Sequence, residues 1–365
     1  MKKLIFKKFI LDVLIFFSTS IFVIGLIVWT IQAVNYFDFV TEDGHGLKVY
    51  FTYTLLNFPK IIHRILPFVF FISLFFTIVR YETNNQLNIF WFNGISKIKF
   101  AVIVLFFSGM IMFIQIILGS YISPNYQLKA RFIIKDSNVD FFTNLLKEGK
   151  FINAVKGLTI FIEDKKGDNF SNIFIEDTTR VFNRIIFAKK GSIISNQKDK
   201  KLLLNDGMVL NIDNQRINTF EFEQIDFNLN TFASNSIIIP KIQETNSKVL
   251  FKCLIYKSQP KNGRCEDDER FTETKQELLK RFYNPVYLIL IGILCAFLFI
   301  SGKFNPNYQK IKINIFIANI FVLLLSETLL RYSTISKFYL LIYFSVPILL
   351  FLIICNLYIH KIRYA

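Results

Sequence analysis

Six long apolar runs decide what this chain can fold into. They lie at about Val13 to Ala33, Ile61 to Val79, Phe100 to Leu118, Pro285 to Ser301, Ile313 to Leu330 and Phe338 to Leu357. Each is long enough to cross roughly 30 Å of hydrocarbon as a helix, the one open-ended backbone that satisfies its own N–H and C=O groups there. Three precede and three follow a polar middle segment. The composition agrees, because 53% hydrophobic residues, with 44 Phe against 14 Gly and 8 Pro, depart from those of a soluble globule. The chain reads as a polytopic membrane protein of the α+β class.

Basic residues set the orientation. The opening "MKKLIFKK", the loop with Arg80, Lys97 and Lys99, the loop with Lys303, Lys310 and Lys312, and the closing "HKIRYA" share one side, predicted as cytoplasmic. Asp38, Glu42 and Asp43 after span one fit the other side, and an odd number of spans puts the middle segment there too. Much of the formal charge of +16 is thus topological, and nucleic acid is not the expected partner. Span one has no small-residue cleavage site after it and reads as a retained helix rather than a signal peptide.

The middle segment reads as an independent β domain. "LTIFIED" (Leu158 to Asp164), "NIFIED" (Asn172 to Asp177), Arg180 to Ser195, Lys201 to Asp213 and Arg216 to Asn230 are short runs rich in Ile, Phe and Val. Lys166-Gly167-Asp168, Asn205-Asp206-Gly207 and Asp213-Asn214 are the expected turns between them. In "TFEFEQIDFNL", Phe220, Phe222, Ile225 and Phe227 share an apolar face after one break in the alternation. Such regular short strands predict a sandwich or jelly roll. The expected domains are residues 1–122 with three spans, 123–282 with the β domain, and 283–365 with three spans.

Between spans two and three lies "RYETNNQLNIFWFNGISKIKF" (Arg80 to Phe100). Read as a helix over about residues 84–92, it puts Leu87, Phe90, Trp91 and Ile95 on one stripe, with Asn84, Asn85, Asn88 and Asn93 elsewhere. Gly94 is placed to stop it, and Ser96 to cap the next span. Thr83 and Gln86 stand at capping-box spacing. From these residues alone, a surface helix gripped by a partner and one lying in the lipid headgroups fit equally.

Three spans, a β domain, three more spans, an amphipathic segment ending in Gly-Ile-Ser, and "GKFINAVKGLTIFIEDKKGDNFSNIFIED" (Gly149 to Asp177) together resemble the LptF/LptG permeases of lipopolysaccharide export, more closely LptF. The resemblance covers essentially the whole chain. It implies a permease subunit in a bacterial inner membrane with a periplasmic jelly-roll-like domain. It also implies an LptB-type ATPase dimer, an LptG-type permease, LptC- and LptA-type jelly-roll proteins, and lipopolysaccharide as cargo.

The resemblance further makes the short helix an ATPase-coupling element, carried by Gln86, Leu87, Phe90, Trp91 and Gly94. Gln86 stands where the family usually has Glu, which exchanges an ion pair for a hydrogen bond. Spans one and five are implied as the lipid gate, with Phe22, Ile27 and Val34 on the first and Glu327 and Arg331 on the second. Glu327 and Arg331, four apart, are placed to pair with each other, or Arg331 to meet an anionic group of the cargo. His63 and Arg64, at the outer start of span two, read as interface anchors. Span one ends in "WTIQAVNYFDF", where the family often has basic residues; Gln32, Asn35 and Asp38 stand there instead.

Enzymatic chemistry finds no footing. No Gly-x-x-x-x-Gly-Lys-Ser/Thr loop is present, so ATP hydrolysis is expected in a separate subunit, and no cofactor is implied. His45, His63 and His360 lie in different segments without metal-ligand spacing. Asp12 and Glu327 are the first intramembrane carboxylates to test for any enzyme. Cys295 and Cys355 sit in spans. Cys253 and Cys265 fall on the oxidising side with Pro260, Asn262 and Gly263 between them, where a disulfide or two separate thiols both fit. Outside transport, a membrane-anchored sensor or scaffold with an extracytoplasmic β domain is the alternative.

Overall fold

The structure, a computed structural model, describes residues 2–37, 46–145, 148–155, 157–167, 169–178, 183–196, 199–213, 216–228, 240–255, 268–300, 302–303 and 305–363. Two compact units divide the chain. One holds Met1–Gln32, Leu56–Leu128 and Lys241–Ala365, and the other Ala33–Leu55 and Lys129–Pro240.

Helices in order are α1 (Lys2–Asn35), α2 (Leu47–Leu56), α3 (Phe58–Thr83), α4 (Gln86–Phe92), α5 (Lys97–Ile117), α6 (Ser123–Leu145), α7 (Ser247–Ile255), α8 (Asp268–Phe282), α9 (Tyr287–Ala296), α10 (Tyr308–Tyr332) and α11 (Lys337–Arg363). A π turn, Leu118–Ile122, joins α5 to α6. Among the described residues, six runs are long and apolar enough to cross a membrane, and several reach well beyond the apolar windows: Leu47–Thr83, Lys97–Ile134 and Arg270–Phe299 carry polar turns past the hydrocarbon length.

The helical core forms around α9. Tyr287, Leu288, Leu290, Ile291, Gly292, Ile293, Cys295 and Ala296 are all buried, so this helix is apolar all round and packs against α3, α5, α10 and α11. Gly292 permits the closest approach, since a Cβ there would collide with Ser108 of α5. By contrast, α1 adds only Phe9 and Val13 to the fully buried apolar set, while Phe22, Ile27, Ile31 and Val34 lie exposed along it.

The strands are β1 (Lys150–Val155), β2 (Leu158–Lys166), β3 (Asn169–Asp177), β4 (Asn183–Asn196), β5 (Asp199–Asp213) and β6 (Arg216–Asn228). They form one antiparallel sheet in sequence order. Among the described residues the connectivity is a meander, in which each strand pairs with its chain neighbour. The inserted antiparallel domain itself is as the sequence predicts. Its helical flanks were not expected: the strands occupy only the centre of the middle segment, and α7 and α8 cluster with the spans.

Asn205-Asp206-Gly207 is not a turn. It lies inside β5, where Asp206 adopts φ +53°. The ladders show why. Ile162 pairs with Ile173 and Asp164 with Ser171; Ala188 pairs with Gly207 and Lys190 with Asn205; Gly207 pairs with Phe222 and Asn205 with Gln224. Each ladder skips one residue at the same level, leaving a polar row of Glu163, Asn172, Lys189, Asp206 and Glu223 across the sheet. Asn172, at φ +48°, shares the left-handed backbone of Asp206, a conformation Asn and Asp tolerate better than branched residues. The burial period slips there too: Val209 is buried on one side of the row and Leu202 and Leu204 on the other. Both sides contribute to one apolar cluster, with Ile160, Ile175 and Ile186 from one and Phe170, Leu204 and Phe227 from the other. Ile173 lies over Gly191, where any Cβ would clash. The alternation break at Glu223-Gln224 is thus one end of a crease that runs through β2 to β6.

Candidate functional site

The short helix α4 is bracketed by two left-handed residues, Asn85 at φ +58° and Gly94 at φ +68°. Gly94 ends it as the sequence predicts. The Gly94 amide donates to the Trp91 carbonyl and the Ile95 amide to the Phe90 carbonyl, the paired bonds of a Schellman motif. The Ser96 hydroxyl oxygen accepts from the Lys99 amide and caps α5. The expected capping box at Thr83 and Gln86 does not form. Helix α3 runs through Thr83, whose hydroxyl donates back to the Arg80 carbonyl, so it is occupied by the helix it ends.

The apolar stripe of α4 faces inward. Leu87 and Phe90 are each 1% exposed and belong to the core of the helical unit. The Phe90 ring lies 4.9 Å from Phe100, 5.6 Å from Phe6, and 6.4 Å from both Phe9 and Tyr81. Phe100 continues the cluster to Phe299 at 4.1 Å. Trp91 is half-buried, 6.3 Å from Phe100, and Gln86 is half-buried. The free edge of the helix carries Ile89 and, at 89% exposure, Phe92. Sequence periodicity found the stripe but not its direction, since it cannot say whether a stripe meets the same chain or another.

Polar contacts tie the span ends around α4. Tyr81 of α3 donates to Asp12 of α1. The Lys303 amide donates to Glu82 at 2.6 Å, the Lys97 ammonium to the Ile300 carbonyl at 3.0 Å, and the Tyr358 hydroxyl to the Lys97 carbonyl at 3.1 Å. These bonds link α1, α3, α5, α11 and the turn after α9 at one end of the bundle. Asp12, one of the two intramembrane carboxylates singled out in the sequence, is thereby a hydrogen-bond acceptor.

The other predicted residues are placed separately. Val34 is exposed near the end of α1, and Glu327 and Arg331 are exposed on the last turns of α10. No ion pair joins Glu327 to Arg331 among the described residues. Cys253 is disulfide-bonded, and Cys295 and Cys355 are free; Cys265 lies outside the described residues, as do His45 and Asp38. His63 packs against Gly119 of the π turn.

On the sheet, a cross-strand row runs through Phe151, Phe161, Phe174, Phe187 and Met208, exposed at Phe151, Phe187 and Met208 and half-buried at Phe161 and Phe174. Rings of Phe151 and Phe161 are 4.6 Å apart, and those of Phe174 and Phe187 5.2 Å. Phe161, Phe174, Phe187 and Met208 of this row, with Asn172, Lys189, Asp206 and Glu223 of the crease, line a recess of about 690 Å³.

Residues 7–361 match the family described as lipopolysaccharide export system permease LptF/LptG. An uncharacterized protein of Rickettsia prowazekii (strain Madrid E) is similar at 24% identity over 233 residues, which is 62% of this chain. The match spans 64% of that relative's own length.

Proposed function

The chain belongs to the LptF/LptG family of lipopolysaccharide export permeases, multi-pass inner-membrane proteins, and from that premise we propose that it is the non-catalytic permease subunit that moves lipopolysaccharide out of the membrane. Its partners in this reading are an LptB-type ATPase dimer, an LptG-type permease and LptC- and LptA-type bridge proteins; the chain takes the LptF position. One observation carries the reading: α4 is glued by Leu87 and Phe90 to the ends of three spans while Ile89 and Phe92 stay free. A force applied to that free edge passes through Phe90 into Phe6 and Phe9 of α1, Tyr81 of α3 and Phe100 of α5. Nucleotide-driven closure of the ATPase would thus tilt the spans together, with Val34, Glu327 and Arg331 at the lipid gate and Gln86 beside the contact.

Purification of the chain from its own membranes tests this. An ATPase and a second permease should accompany it at fixed ratio, and Phe92→Asp should release the ATPase alone. A chain that purifies without either partner would overturn the reading in favour of a sensor or scaffold.

A further inference from the structure

The helical unit contains an arginine that the reading above does not use. Arg281, on the last turn of α8, is 1% exposed and is among the largest fully buried side chains. A buried guanidinium is costly unless each donor is met. Here Nε donates to Glu277 at 2.9 Å. Nη1 donates to the Thr245 carbonyl at 2.9 Å and to the Ser247 hydroxyl oxygen at 3.0 Å. Nη2 donates to the Gln243 carbonyl at 2.9 Å and the Ile242 carbonyl at 3.4 Å. The five N–H groups of the planar fork face five acceptors. Four of these lie in the chain that returns from the β domain and enters α7.

Ser247 passes the connection on. Its hydroxyl donates to the Ser120 carbonyl at 2.7 Å, inside the π turn Leu118–Ile122. A π turn hydrogen-bonds to the fifth residue on, here Ser123 to Leu118, so the usual helical ladder is interrupted and local carbonyls become available to other donors. Gly119 keeps the turn slim enough for His63 to sit against it. Past the turn, Gln127 donates to both the Ser123 carbonyl and hydroxyl oxygen and closes the first turn of α6. The outgoing chain (α5 to α6) and the returning chain (Lys241 to α7) are therefore fastened to each other through one hydroxyl and one guanidinium.

We propose that Arg281 is a positioning residue: through Ser247 it locks the two chain connections of the β domain to each other at the π turn, so that movement of span three is passed to both at once. The transport consequence rests on the permease reading. In that setting, tilt of α5 driven from α4 reaches the returning chain without slippage.

Hydrogen exchange on the full chain in lipid nanodiscs tests the lock directly. Ser247→Ala leaves Arg281 and its other acceptors in place and removes only the bridge. It should raise exchange about tenfold in both 118–123 and 247–255, with α9 unchanged. Arg281→Lys should act the same way, because one ammonium cannot meet five acceptors. If either segment loosens alone, the lock is overturned. In membranes holding the whole transporter, Ser247→Ala should also lower lipid released per ATP hydrolysed at least threefold, with hydrolysis unchanged; an unchanged yield overturns the coupling role. A wild-type transporter that releases no lipid would fail the permease reading instead, and the exchange result would still decide the lock.

Discussion

The ring of Phe90 meets that of Phe100 edge-on, with centroids 4.9 Å apart, and that contact turns a short surface helix into part of the bundle core. Its neighbour Phe92, two residues on, points out and is almost fully exposed. In the proposed reading, anchoring and docking are thus divided between two phenylalanines of one helical turn. Phe90→Ala should leave a cavity and cost about 3 kcal/mol of stability, read as an earlier unfolding midpoint in mixed micelles. Phe92→Ala should leave that midpoint within about 0.5 kcal/mol while weakening ATPase retention severalfold. Equal effects of the two variants on stability would show that α4 is not seated in this way.

Gly94 gives a sharper test of how α4 is held. Its positive φ closes the Schellman motif that turns Ile95 into the core. Gly94→Ala should cost about 1 kcal/mol, the usual penalty for a side chain in the left-handed region. Asn85→Gly, at the opposite bracket, should be neutral or slightly stabilising. The same micelle titration reads both. An undiminished midpoint in Gly94→Ala would mean the turn relaxes to another conformation at no expense.

Within the β domain the crease depends on backbone more than on contacts. Asp206→Gly should be tolerated, whereas Asp206→Val forces a branched residue to φ +53° and should cost about 1–2 kcal/mol. Gly191→Val should be worse, because its side chain would occupy the space that Ile173 fills. Limited proteolysis of the full chain in detergent reports this as faster cutting within β4 and β5. Resistance equal to wild type in Gly191→Val would argue against a folded sheet.

What the sequence revealed, and what it hid, follow from the range of the interactions. Span number and strand positions are local and periodic, so "LTIFIED" and "TFEFEQIDFNL" could be read directly. Even the break at Glu223 was visible in one strand. Its meaning was not, because the crease exists only when Asn172 and Asp206 are brought level by pairing. The direction of the Leu87 and Phe90 stripe was hidden for the same reason, and so was the partner of Asp12, which lies 69 residues away. Arg281 gave little signal. A lone arginine in "ELLKRFYNP" looks like a snorkelling interface residue; Glu277 stands one turn before it, but its other acceptors, three backbone carbonyls and the Ser247 hydroxyl, lie in a distant segment that no sequence motif marks.

Cysteine chemistry supplies another prediction. Cys253 is disulfide-bonded while Cys295 and Cys355 are free. With Cys265 as its partner, Cys265→Ser should make the Cys253 thiol reactive to maleimide without prior reduction, as read by peptide mass mapping. Continued protection of Cys253 in that variant would assign the bond elsewhere. Transport should be unaffected by the loss.

Arg331 carries the most specific expectation about cargo. It is exposed on the last turn of α10, and no ion pair holds it to Glu327, one turn earlier. An exposed guanidinium near the end of a span has its fork free to meet a phosphate or carboxylate in two parallel bonds. Arg331→Glu places like charges together and should reduce lipid loading by an order of magnitude or more. Arg331→Lys keeps a point charge but loses the planar fork, so its loss should be smaller, severalfold. Glu327→Gln should leave loading near wild type, since it removes no partner of Arg331. Lipid trapped by a photo-crosslinker at Val34 is the measurement, because Val34 is 71% exposed and lies apart from the substituted charge in the chain. If Glu and Lys at 331 load equally well, Arg331 is an interface anchor; if Val34 traps no lipid while positions on α5 and α11 do, the gate belongs to other spans.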